Sequence, residues 1–507
     1  MNLPLLLAGP IVRRTTTGKV WVWIATRELL VAPHLTLYEH QGSAAAPLPV
    51  ESKPEWYPVV LGRRLWVYML AAVPSRPLTE ERIYEYDILL NGKKSIFSTS
   101  EMSQIVLKGF QRPSFVTGSH SRSEMRAIYG SCRKLHGPNP DMMKGAEQIL
   151  DNAKSGKRPQ YFFLGGDQIY ADDVHPALLP LTLPLRQALF GPVTEMIPGL
   201  PPQALSPFVK RSGYLKTFFT SGEMDHHLLT FAEFASVYLV AWNSRLWEPL
   251  LKKGGLSMQE GRHTPLLLDE KLAGGAIGAK RTRKVFANSI CYMIFDDHEV
   301  TDDWFLNDSW ELNAASHDAA LRILTNGMAA YWAFQGWGND PESFDESYRT
   351  QISVFAEGYG QNTAAVWSSL RNTNWSFMAP TSPPTLFLDT RTRRESSPPG
   401  EDEIGYGFEK KSVSPLLPGL LAQGIQDSPR ILTAPRNTDA PRLINEEGRT
   451  RIADLCNTYA RSNTPLIVVA PSPVFGFPPM EWLQNEVGKV SPSSADFESW
   501  AGNPRNL

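Results

Sequence analysis

The chain of 507 residues has only three cysteines, Cys132, Cys291 and Cys456. They are too few and too scattered for a disulfide framework or a CxxC zinc site, so a reducing compartment is expected. No stretch approaches the roughly 20 apolar residues needed to span a bilayer. The apolar opening, Met1 to Pro10, has no basic lead-in and is interrupted by Pro4, so it reads as the approach to a first strand rather than a secretory signal, with a cytoplasmic location as the default. Charge of one sign is lacking too: 50 Lys and Arg against 52 Asp and Glu give a net charge of −2, which offers no basic field for a nucleic-acid backbone. There is no internal repeat, no low-complexity tract, and no histidine after His317.

What is present fits an ordinary soluble globular protein, with 42% hydrophobic and 20% charged residues. The length exceeds what one core usually serves, so two or more units are expected. From Gly9 to Phe115 short alternating runs such as 19–25, 65–70 and 82–90 are broken by Gly and Pro, which predicts a small all-β sandwich over 1–115. From about residue 125 the order becomes strand, loop, helix, which predicts an α/β unit over 125–507. Prolines crowd Val174–Phe208 and predict an interrupted insertion, a lid candidate. Apolar spacing predicts helices over Asp225–Trp247 and Ser316–Trp337, placing His226 and His227 on the first, away from the acidic clusters. Strands are expected at 384–391 and 465–472, separated by a Pro/Gly/charged stretch (Ser396–Asp439) and a helix near Glu446–Arg461.

Three apolar runs end in groups able to bind a metal: one before Cys132, one before Asp167, and one before Asp297 and His298. In open α/β sheets ligands gather beyond the carboxyl ends of strands, so these distant groups are placed to meet. GlyAspGlnIleTyrAlaAsp (166–172) offers two carboxylates and the Tyr170 phenol, oxygen donors suited to hard ions; a helix cap for Asp167 and a packed aromatic for Tyr170 are the competing readings. AspAspHisGluValThrAspAspTrp (296–304) carries five carboxylates and one imidazole, a density that is costly without cations. His298 is either a ligand or a general acid. Cys132 is a thiolate donor if a metal is present and a small packed residue otherwise. Arg391, after a further strand, either holds a substrate oxygen or pairs with one of the acids.

In that order, SerCys (131–132), the 166–172 and 296–304 segments and LeuAspThrArg (388–391) resemble the PhoD-like branch of the calcineurin-type metallophosphoesterases. The resemblance implies an α/β (α+β) sandwich of mixed sheets flanked by helices, behind an immunoglobulin- or fibronectin-like domain. The implied activity is hydrolysis of phosphate mono- or diesters by a metal-activated hydroxide. It implies metal ligation by Cys132, Asp167, Tyr170 and Asp297, with Asp167 bridging two ions, His298 assisting the leaving oxygen, and iron with calcium as the metal pair. Such relatives finish the site with a histidine-bearing strand near the C-terminus, and its lack here leads to the expectation of a C-terminally incomplete chain. The alternatives are a non-catalytic binding protein on the same fold and, with little behind it, a mononuclear iron oxidoreductase using Cys132 and His298.

Overall fold

The computed structural model describes all residues except 43–45, 120–123, 154–155, 193–194, 249, 251–269, 305–307, 395–442, 460–464 and 474–507. The charged stretch expected at Ser396–Asp439 lies outside the described residues. The fold is mixed α/β. Its strands are β1 (Leu6–Thr15), β2 (Val20–Thr26), β3 (Pro33–Glu39), β4 (Leu48–Val50), β5 (Ser52–Gly62), β6 (Leu65–Pro74), β7 (Ile83–Leu90), β8 (Lys94–Ser95), β9 (Ser114–Val116), β10 (Ala127–Gly130), β11 (Tyr161–Leu164), β12 (Ile290–Met293), β13 (Phe377–Ala379), β14 (Thr385–Phe387) and β15 (Ile467–Val469).

Seven of them form one sheet in the order β10-β11-β12-β1-β2-β6-β5. β10, β11, β12 and β1 run parallel, and β2, β6 and β5 continue antiparallel. Side chains alternate between the two faces with the strand period of two. Ile11, Trp21, Trp23, Phe162, Leu164, Cys291 and Met293 enter one core, where they meet the helices Phe231–Trp242, Glu270–Ala287 and Asp318–Phe334. Val12, Val20, Val22, Phe163, Ile290 and Tyr292 enter the other, against residues of two smaller sheets, β4-β3-β7-β8 and β13-β14-β15. Helices thus cover one face of the main sheet and smaller sheets the other.

This arrangement corrects the expectation of a separate sandwich over 1–115. β1, β2, β5 and β6 do face β3 and β7, but their sheet runs on through β12 to β11 and β10 without a break. The reason is pairing: β1 is buried along nearly its whole length and takes β12 as its parallel neighbour, which alternation within residues 1–115 cannot reveal. Trp23, fully buried, donates its indole N–H to the Ala333 carbonyl at 2.8 Å, and the Tyr86 hydroxyl donates to Ala287 at 2.8 Å. Cutting Trp23 to alanine would cost about 3–5 kcal/mol, as large aromatic truncations in cores do.

The proline-rich stretch is more regular than its composition indicates, for Leu178–Phe190 is a helix with Pro184 inside it. Pro180 falls in the first turn, where the backbone N–H has no helical partner in any case. The predicted helix over Asp225–Trp247 begins only at Phe231, because Thr230 and Glu233 form a reciprocal cap there. His226 and His227 therefore lie in the preceding loop, not on the helix. Among the described residues, no helix is long and apolar enough to cross a membrane.

Candidate metal centre

The three parallel strands end level with one another: Gly130 pairs with Leu164, and Leu164 with Met293. The residues that follow each strand accordingly reach the same edge of the sheet. After β10 the Cys132 N–H donates to the Gly166 carbonyl at 3.1 Å and Arg133 N–H to the Asp167 carbonyl at 2.7 Å, which locks the first two loops together. Cys132 and Asp167 both adopt left-handed backbone angles, φ +55° and +45°. Such conformations cost L-residues on the order of 1 kcal/mol or more and persist where the surroundings enforce them. Gly166 is required both by its backbone, at φ +138°, and by contact: a Cβ there would lie 2.6 Å from the Cβ of Asp296. Glycine lets the Asp167 loop and the Asp296 loop approach.

Asp167, Asp296 and Asp297, all buried, bring carboxylate oxygens within 4.8 Å of one another. Asp167 is only 2% exposed, and its Oδ1 has no hydrogen-bond partner among the described residues. Burial first, then the charges of Asp296 and Asp297, then Cys132, push its carboxyl well above the usual carboxylate range. Three acids packed like this are costly unless positive charge balances them, which makes the trio a candidate cation site. Burial, then Asp167, then Cys132 also raise the phenol of Tyr170, whose hydroxyl is hydrogen-bonded with Cys132. Cys132 itself is exposed.

Beside the trio, the ring of Tyr170 stacks on that of His298, centroids 4.2 Å apart. His298 Nδ1 lies 2.8 Å from Asp172 Oδ1, and its Nε2 is 3.7 Å from Asp302 Oδ1. Asp172 is fully buried and also accepts from Ser221 Oγ at 2.7 Å and Asp302 N–H at 3.1 Å. Burial alone would lower the His298 imidazolium, but the bond to Asp172 outweighs it and lifts the group to about 10. Burial likewise opposes ionisation of Asp172, and the His298 bond overcomes it and holds the carboxyl below its ordinary value. His298 thus has a fixed orientation at the edge of the acid trio, and its pairing with Asp172 favours the imidazolium. Asp297, His298 and Asp302 form a second group of donors within 4.8 Å.

Arg391, 3% exposed, faces the acids: Nε is 2.6 Å from Asp296 Oδ1 and Nη1 is 3.2 Å from Asp297 Oδ2. Of the two readings that the sequence leaves for Arg391, this geometry is the ion pair. Glu299 braces the floor, accepting from Gln168 N–H and Gln335 Nε2 at 2.6 Å each and from the Tyr238 hydroxyl. Gln335 in turn gives its carbonyl to Arg13 of β1 at 2.6 Å, so the N-terminal strands support the site directly.

The structure therefore gathers Cys132, Asp167, Tyr170, Asp297, His298 and Arg391 at one sheet edge. The sequence marks Asp172 and Asp296 as acids of the two candidate segments without singling out either. Each stands in an acidic pair, 296–297 or 172–173, and nothing in a doublet says which member turns inward. Sequence reasoning misplaced His227, which is buried beside this loop system, its neighbour Leu228 donating to the Ala171 carbonyl at 2.7 Å.

The chain matches no family model and no curated protein. Among solved structures it is similar to the structure of PhoD, at 11% identity and a TM-score of 0.44, over 100% of this chain and 68% of that one. It is also similar to the purple acid phosphatase PPD1 from yellow lupin (Lupinus luteus) seeds, at 13% identity and a TM-score of 0.21, over 32% of this chain and 30% of that one. Likenesses this loose carry no residue roles, and the functional reading rests on the side chains themselves.

Proposed function

We propose that this chain is a metal-dependent phosphoester hydrolase, acting on mono- or diesters. The observation that carries the reading is the buried oxygen of Asp167, without a hydrogen-bond partner among the described residues, in a trio of carboxylates beside the His298 ring held by Asp172. Asp167, with Asp296 and Asp297 around it, would hold the cation. Cys132 and Tyr170 add a thiol and a phenol, a donor set suited to iron. A bound cation would lower the pKa of a coordinated water and offset charge on a phosphoryl group.

The remaining work falls to the chain's own groups. His298 holds a proton on a ring fixed at Nδ1 by Asp172, in position to pass it from Nε2 to a leaving alkoxide. Burial of the trio keeps water from screening these charges, so each acts more strongly than on a surface. Gly166 and Glu299 keep the loops at the required spacing.

The test is hydrolysis of p-nitrophenyl phosphate and bis(p-nitrophenyl) phosphate by chain loaded with iron, manganese or calcium, before and after chelation. Turnover that disappears on chelation, together with a fall in kcat of about 10²–10⁴-fold in His298→Ala, is the expected result. A folded chain that binds none of these metals would end the reading. Binding without turnover would favour the non-catalytic alternative.

A further inference from the structure

We propose that the Arg391 guanidinium takes the place of a second cation, so that this centre holds one metal ion per chain instead of the pair that the sequence resemblance implies. The inference rests on the metal-dependent reading above and concerns how the positive charge in that site is supplied.

The acid trio is divided unequally. Asp296 and Asp297 are already engaged by Arg391 at 2.6 and 3.2 Å, whereas Asp167 keeps a buried Oδ1 with no hydrogen-bond partner among the described residues and has Cys132 and Tyr170 as neighbours. One half of the cluster is open to an ion and the other half is neutralised by protein. The arginine is built in: its side chain is 4% exposed, and its backbone is held by Asp389, whose Oδ1 accepts from Arg391 N–H at 3.0 Å and Thr392 N–H at 2.8 Å. Asp389 is anchored in turn by its own N–H to Ser376 Oγ at 2.9 Å.

Chemistry makes this charge permanent, since a guanidinium does not lose its proton in proteins and its planar fork suits carboxylates. Three carboxylates and one guanidinium leave two negative charges before any proton leaves Cys132 or Tyr170, and a single divalent or trivalent ion answers them. A second ion on the same acids would have to displace Arg391 from Asp296 and Asp297 or sit beside it with like charge at close range. The bridging role implied for Asp167 then becomes ligation of a single ion, with Arg391 as the fixed counter-charge opposite.

The experiment is metal stoichiometry of the full chain, loaded with manganese(II) alone, freed of excess by gel filtration, and read by elemental analysis and electron paramagnetic resonance. One ion per chain with an uncoupled six-line signal is expected for the wild type and for Arg391→Lys, which keeps a positive charge. Arg391→Met is expected to take up a second ion, seen as a doubled content and a spin-coupled signal. Two ions in the wild type, including one at Asp297, His298 and Asp302, would overturn the inference and leave the metal-dependent reading standing. A folded Arg391→Met chain that still holds one ion would overturn it as well. No bound ion in the wild type would remove both. Should Arg391→Met fail to fold, the wild-type stoichiometry alone decides.

Discussion

Glu233 and Asp167 are both buried carboxylates, and they are opposites. Glu233 accepts from Arg211 at 2.8 and 2.9 Å, from Arg186 at 2.9 Å and from Leu229 N–H at 2.8 Å. Burial works to raise it, but the Arg211 and Arg186 guanidiniums prevail and hold it down at about 2. Asp167 has three acids, Asp296, Asp297 and Glu299, and the Cys132 thiol as neighbours, one oxygen without a hydrogen-bond partner among the described residues, and a carboxyl pushed far the other way. Depth is the same in both. What differs is completion: the Glu233 network satisfies itself within the chain, while the Asp167 cluster keeps an oxygen without a hydrogen-bond partner among the described residues, where the proposed cation would sit.

The largest effect expected from breaking this contrast is at the finished site. Glu233→Ala leaves two guanidiniums buried without their carboxylate and should cost about 3–5 kcal/mol, measured by urea unfolding. The pH dependence probes the same group without mutation. Because the folded value near 2 lies below the ordinary 4.5, its stabilisation is complete above about pH 4.5 and is lost as pH falls toward 2. That difference corresponds to roughly 3 kcal/mol, and acid unfolding of wild type against Glu233→Gln should show a steeper limb for the wild type.

Asp167→Asn should move stability in the other direction. In chelated protein it removes a carboxyl whose ionisation burial and the neighbouring acids oppose, and asparagine tolerates the left-handed backbone, so a gain of about 1 kcal/mol is expected. Metal affinity should fall by at least about 100-fold in the same variant, read by calorimetric titration. A loss of stability in the metal-free state would show Asp167 to be another finished structural acid. The smallest expected change is at Cys132→Ala: an exposed thiol should shift unfolding by less than about 0.5 kcal/mol while iron binding weakens. Unchanged iron affinity would remove the thiol from the donor set.

Much of this site was legible because its signals are local. The runs ending near Gly130, Leu164 and Met293 are apolar and bounded by glycine or acid, so strand ends and the chemistry just beyond them could be read together. The choice within doublets was not legible: Asp296 and Asp297 both turn inward, and Asp172 turns to His298 while its neighbour Asp173 pairs with His136 at 3.4 Å. Apolar spacing carried the predicted helix back over His226 and His227, because periodicity does not register that Thr230 and Glu233 cap the helix at Phe231.

The amino-acid sequence by itself determined a mixed α/β chain with acid, thiol, phenol and imidazole placed after strands, since alternation and strand-end composition are properties of neighbouring residues. Tertiary structure alone decided that the N-terminal strands share a sheet with the site, that Asp167 keeps an oxygen without a hydrogen-bond partner among the described residues, and that Arg391 rests on Asp296 and Asp297. Those outcomes depend on which groups meet from far apart in the chain, as Arg391 and Asp296 do at a separation of 95 residues, and a charge is balanced by what surrounds it in space, not by what precedes it in the chain.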